Sequence, residues 1–196
     1  MFLYSEPDGD FVRSAVRDNH GASFSYTEVG ATREFDKSAL PRSYAVDHNR
    51  QLLGRGAETY SQAVKALNSW LMFDTTLTRI AQPDTAIKTG NIVAVVGNHF
   101  LFHSLNLCRI VYTIDDADAN TTRYGFAYGT LDQHLESGEE RFMIEWTRTD
   151  DLVYYDLLAF SRPNNPLVNL GYPFARMMQK RFAGESKAAM KRAVVS

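Results

Sequence analysis

The apolar positions of this chain change period twice. Leu53, Ala57, Tyr60, Val64, Leu67 and Leu71 recur at steps of four and three, which predicts one buried stripe on a helix over 53–73, widened at its end by Trp70 and Phe73. From residue 76 onward the period falls to two. Alternating or β-branched runs predict strands at 107–114 (LCRIVYTI), 124–131 (YGFAYGTL), 140–147 and 152–160, with shorter candidates at 77–80 and 87–96, the latter bent at Gly90. Phe100 and Phe102 continue an edge strand or lie in a loop. Pro163 and Pro166 then stop the sheet. Leu170, Phe174, Met177, Met178 and Phe182, with Met190 later, predict a second long helix roughly over 167–192. Pro173 and Gly184 give that helix a kink or a late start.

Upstream, 8–20 predicts a short helix with Phe11, Ala15 and Val16 on one side, and 24–29 (FSYTEV) alternates as a first strand. The stretch 34–50 is polar and irregular and reads as a loop. Short joins such as 149–151 favour an antiparallel meander. The order is strand, helix, about six strands and a long C-terminal helix. It predicts an α+β fold in which an antiparallel sheet buries one face under that helix. At 196 residues the chain reads as a single domain, with 1–22 as an N-terminal extension and 23–196 as the core.

Residues 124–142 hold the densest chemistry. Tyr124, Phe126 and Tyr128 share one strand face, and Gly125, Ala127 and Gly129 share the other. Glycines in a strand interior mark a close approach. Either a helix packs on that small face or the face floors a ligand cavity. Asp132, Gln133 and His134 form an exposed polar turn, and Ser137 and Gly138 punctuate it. Beyond it Glu139 and Arg141 share a face, while Glu140 shares the other with Phe142, Ile144 and Trp146.

The order of elements resembles the helix-grip fold of the START, polyketide-cyclase and birch-pollen-allergen superfamily. Several segments are similar to an uncharacterised family, the domain of unknown function nineteen-ninety, also known as a UPF group. They are YTEVG at 26–30, LGRG at 53–56, WLMF at 70–73, CRIVY at 108–112, YGFAYGTL at 124–131, HLESGEERF at 134–142 and FSRP at 160–163. The resemblance implies a curved antiparallel sheet of about seven strands wrapped on a long C-terminal helix. The resemblance also implies a helix inserted after the first strand and a cavity between sheet and C-terminal helix. It implies no activity, because function does not follow from fold.

Composition narrows the partners. A net charge of −2 gives no electrostatic case for nucleic acid. The lone Cys108 sits in an apolar run and reads as an inert core thiol. The start of the chain, Met1 to Tyr4, gives way at once to Ser5 and Glu6, which is unlike a signal peptide, so a cytoplasmic protein is the expectation. The last helix carries Arg176, Lys180, Arg181, Lys187, Lys191 and Arg192. These suit a membrane surface or partner protein, but a solvated outer face is the preferred account.

The remaining motifs are weak. GRGAET at 54–59 lacks the third glycine of a dinucleotide loop, so a helix-entry bend explains it better. His99 and His103 lack a third ligand, and Asp115, Asp116 and Asp118 lack the glycine and distal glutamate of a calcium loop. No metal or cofactor is expected, and no Gly-x-Ser-x-Gly elbow occurs.

The favoured function is binding of a small hydrophobic or amphipathic molecule between sheet and C-terminal helix. Tyr124, Phe126, Tyr128, Trp146, Tyr154 and Phe160 would line or border the cavity. Arg109, Glu140 or Asp156 would fix a polar end. An alternative is an enzyme of cyclase or hydrolase type. A carboxylate turned into an apolar cavity has a raised pKa, and Glu140, Asp156 or His134 would then act as acid or base. A third reading is a non-catalytic interaction domain that uses the basic end of the last helix.

Overall fold

The computed structural model describes residues 1–34, 38, 40, 42–99, 102–164 and 172–194. The expectations at Phe100, Pro166, Leu167 and Leu170, and for the Phe174 side chain, lie outside the described residues. In chain order the elements are β1 (Phe2–Leu3), α1 (Gly9–Asp18), β2 (Ala45–Arg55), α2 (Gly56–Asn68) and a 3-10 turn (Leu71–Phe73). They continue with β3 (Thr78–Ile80), β4 (Ile92–His99), β5 (Phe102–Ala117), β6 (Thr121–Thr130), β7 (Glu136–Thr147), β8 (Leu152–Pro163) and α3 (Tyr172–Ala193).

The strands form one antiparallel sheet in the order β2-β8-β7-β6-β5-β4-β3, with β1 pairing beside β5. From β3 to β8 each strand pairs with its sequence neighbour, as short joins require. β2 leaves the meander and pairs with β8. The fold is α+β, a curved antiparallel sheet gripping a long C-terminal helix.

The inner face carries the main core. Leu67 of α2, Trp70, Phe73 and Met190 of α3 pack there against Phe126, Phe142 and Tyr155. Register aligns the core, because Phe142 pairs with Phe126 on one side and Leu157 on the other. α3 is fixed to the sheet by polar contacts as well. The Ser186 hydroxyl meets Tyr155 Oη at 2.9 Å, and Lys191 Nζ donates to the Leu53 carbonyl at 2.8 Å.

The outer face is covered too, which the sequence pattern did not indicate. Val12 of α1 packs on Ile92, Ala94 and Val96 of β4. Residues 22–34 cross β5 to β8. Tyr26 stands edge-on to Phe160 at 5.7 Å between centroids. Beneath this cover Glu139 is 2% exposed. Its carboxylate accepts from Tyr26 Oη at 2.8 Å, Gly30 N at 2.7 Å and Thr32 N at 3.0 Å, and also from the Thr32 hydroxyl. A buried carboxylate is stable only when hydrogen-bonded in this way. Arg141 donates to the Thr32 carbonyl at 2.8 Å beside it.

Several predicted elements move. The 24–29 strand is not formed; Phe24 makes a single bridge to Leu131, and the backbone donors of Gly30 and Thr32 turn to Glu139 instead of a ladder. The first long strand is β2, within the stretch that reads as a loop, and Leu53 belongs to it, not to the helix. Gly56, at φ +82°, is the bend that turns β2 into α2, where GRGAET invited a phosphate loop. Gly129 marks a close approach, but what approaches is Tyr26, and neither a helix nor a ligand; an added Cβ would overlap its hydroxyl.

Candidate functional site

The inner face of the sheet is divided in two. At one end its positions are large and apolar: Phe126, Phe142, Ile144 and Tyr155 form a solid cluster with α2 and Trp70. At the other end the same strands carry smaller or polar residues. β4 supplies Gly97 and His99, β5 Ser104 and Asn106, β7 Glu136 and Gly138, and β8 Ala159 and Ser161. Across from them α3 presents Met178, Gln179, Phe182 and Ala183, and Phe73 and Leu77 close one side. The missing side-chain volume leaves a cavity of about 250 Å³.

Tyr128 and Glu140 stand in the cavity wall, opposite each other in register, and Tyr128 Oη donates to Glu140 Oε2 at 2.8 Å. Burial pushes the Glu140 carboxyl up to about 7. The Tyr128 hydrogen bond opposes that rise, while the negative charges of Glu136 and Asp47 add to it. Burial also raises the Glu136 carboxyl, against hydrogen bonds from Gln179 and Ser161. Gln179 Nε2 reaches Glu136 Oε2 at 2.6 Å and Ser161 Oγ at 3.0 Å. Arg176 Nη2 donates to Asp47 Oδ1 at 2.8 Å. These contacts tie the early turns of α3 across the cavity to β2, β7 and β8.

The opposite wall holds a polar chain. Asn106 Nδ2 donates to Ser104 Oγ at 2.9 Å, and Ser104 Oγ meets His99 Nε2 at 3.0 Å. Burial lowers the His99 pKa, which favours the neutral ring. His99 Nδ1 and Asn106 Oδ1 are buried and have no hydrogen-bond partner among the described residues. His134 also borders the cavity; burial brings its pKa down to about 4.

The structure brings some expected residues to this cavity and takes others elsewhere. Tyr128 and Glu140 line it. Phe160 borders it, but its ring packs on Tyr26 and Tyr44 on the outer side. Phe126 lies in the solid half, edge-on to Trp70. Tyr124 donates to Asn68 of α2 at 2.9 Å, and Trp146 packs on Tyr60 at 5.7 Å. Tyr154 lies under the Arg50 guanidinium. Asp156 is on the outer face, where His48 Nε2 and Arg141 Nη2 each meet it at 2.8 Å. Arg109 donates to the carbonyls of His20 and Ala22 at 2.8 Å and secures the outer cover.

Glu136, Asp47, Asn106, Ser104 and Gln179 are cavity residues that sequence reasoning did not single out. A signal existed for Glu136, which is four residues before Glu140 on the same strand face. Among the described residues no group of three or more His, Cys, Asp or Glu is placed to hold a metal ion. No described helix is long and apolar enough to cross a membrane.

The solved structure of Ara h 8.0201 is similar in fold, with a TM-score of 0.44 and 13% identity, over 78% of this chain and 98% of that one. A UPF0548 protein of Dictyostelium discoideum is 33% identical over 209 residues, covering 100% of this chain and 97% of the relative. A UPF0548 protein of Arabidopsis thaliana is 30% identical over 171 residues, covering 86% of this chain and 80% of that protein. The profile of the family "Domain of unknown function (DUF1990)" matches residues 25–189, from the Tyr26 segment of the outer cover into α3. With that span of the profile and relatives matched over most of their length, the chain belongs to the DUF1990 family.

Proposed function

We propose that this protein binds a small amphipathic molecule in the cavity between the sheet and α3. The observation that carries the reading is a hollow lined by apolar side chains into whose wall buried polar atoms, His99 Nδ1 and Asn106 Oδ1, are set without partners among the described residues. Buried polar atoms are almost always paired, and an unpaired one calls for an absent partner. The volume is at the small end for ligand pockets and equals roughly eight waters at liquid density. A compact ligand of similar bulk fits it. The proposed location is the cytoplasm, in keeping with Cys108, a buried thiol whose pKa burial raises and which stays reduced and inert there. Native mass spectrometry of the purified protein, followed by extraction, tests the reading. A bound molecule with an apolar body and a polar end is expected. A protein free of any adduct that also shows no thermal shift with amphipathic ligands would contradict it.

Glu140 favours a second reading, in which the same cavity catalyses proton transfer of cyclase or hydrolase type. A carboxyl near neutrality, hydrogen-bonded to Tyr128, is suited to exchange a proton with a bound molecule. Turnover of the extracted molecule that is lost in Glu140→Gln, with binding retained, would support it; no turnover by the native protein would oppose it.

A further inference from the structure

We infer that the ligand of this cavity carries a protonated amine and presents it to the Glu140 carboxylate. This rests on the proposal that the cavity holds a ligand. The charged side chains lining the cavity are Asp47, Glu136, Glu139 and Glu140, and among the described lining residues none is Lys or Arg. Glu139 is turned to the outer face, where Tyr26, Gly30 and Thr32 occupy it. Asp47 is paired with Arg176 from α3. Glu136 accepts from the neutral Gln179 amide, and Glu140 accepts from the neutral Tyr128 hydroxyl.

The charges of Glu136 and Asp47, both negative, add to the rise of the Glu140 carboxyl. The described cations beside Glu136, Glu140 and Asp47 are Arg176, paired with Asp47, and Lys187, which donates to Asn49, so this wall still carries more carboxylates than cations. The histidines that border the cavity, His99 and His134, are kept neutral by burial and do not supply a further cation. An ammonium group would have Glu140 Oε1 as a charge-assisted acceptor, since the Tyr128 hydroxyl donates to Oε2. It would also be attracted by Glu136 in a setting where water screens poorly. A ligand carboxylate or phosphate would instead face like charges and find no Lys or Arg among the described lining residues. The apolar remainder of the hollow, formed by Phe73, Leu77, Val95, Leu157 and Phe182, suits a short hydrocarbon body.

The test is isothermal titration of the full chain with three probes of one length, octylamine, octan-1-ol and octanoate, at about pH 8, where an alkyl ammonium stays protonated. Octylamine is expected to bind about tenfold or more tightly than octan-1-ol, a difference that a single charge-assisted contact supplies. Octanoate is expected to be the weakest. Glu140→Gln is expected to bring octylamine to the affinity of octan-1-ol. The native chain at about pH 5.5, where Glu140 takes up its proton, gives the same loss of preference without a substitution. Equal binding of amine and alcohol by the native chain would overturn the inference and leave the cavity reading standing, as would an amine preference that survives in Glu140→Gln. Failure of all three probes to bind would overturn the inference, and together with an adduct-free native mass spectrum it would overturn the cavity reading as well.

Discussion

Tyr128 and Glu140 face each other across β6 and β7, and the phenol donates to the carboxylate at 2.8 Å. One neutral donor does not replace the water that a carboxylate loses on burial, so Glu140 holds its proton to about 7. The folded chain therefore keeps a proton that the unfolded chain has already released. Between about 4.5 and 7 stability falls as pH rises, and above 7 the full penalty remains. Glu140→Gln keeps an acceptor for Tyr128 and removes the charge. It is expected to be more stable than the native chain at pH 8 by about 1–3 kcal/mol and close to it at pH 4, as measured by urea denaturation. A variant less stable at pH 8 would show that Glu140 is ionised without cost.

Glu139, one residue away, has the opposite role. Its carboxylate holds Tyr26, Gly30 and Thr32 against the outer face. Glu139→Ala strands the buried Thr32 N–H, the half-buried Gly30 N–H and a phenol, so a loss of about 3 kcal/mol or more is expected. Limited proteolysis should then cut within 23–34 well before the sheet. Resistance equal to that of the native chain would mean that Tyr26 and Phe160 hold the segment by packing alone.

Both carboxylates were legible as belonging to opposite faces, because the alternation along β7 is regular from Glu136 to Trp146. Which face is the inner one was not legible. Tyr154, Asp156 and Phe160 alternate as well as their neighbours, but register places Met143 opposite Asp156 and Ile144 opposite Tyr155, so the even positions of β8 face outward. Arg109 lies between Cys108 and Ile110, both in the main core, and so points outward too. A bulge at Val111 then moves Tyr112 and Ile114 to the outer face, a one-residue change that periodicity does not show.

β2 was missed for a physical reason. Its inner positions Asp47 and Asn49 border the cavity, and its outer positions His48 and Arg50 pair with Asp156, so no apolar alternation remains to be read. Two of the residues that hide the strand from a hydrophobic pattern, Asp47 and Asn49, also border the polar end of the cavity.

Gly129 measures how closely the outer cover is fitted. Gly129→Ala places a methyl group where the Tyr26 ring and hydroxyl lie. The expected cost is about 1–3 kcal/mol by overpacking. Tyr26→Ala makes room, so the double variant should lose less than the sum of the two single variants in a denaturation cycle. Additive losses would mean that the two residues do not touch in solution.

The hollow beside Glu140 is the centre of the account, and Ala159 pairs with Glu140 across β7 and β8. Ala159→Leu fills part of the cavity with hydrocarbon and leaves Glu140 and Tyr128 in place. Native mass spectrometry of the native chain and this variant, purified side by side, is the direct measurement. A small-molecule adduct on the native chain that disappears in Ala159→Leu, with the melting temperature held or raised, is the expected result. An adduct that persists in the filled variant would contradict the account, because the ligand would then sit outside this cavity.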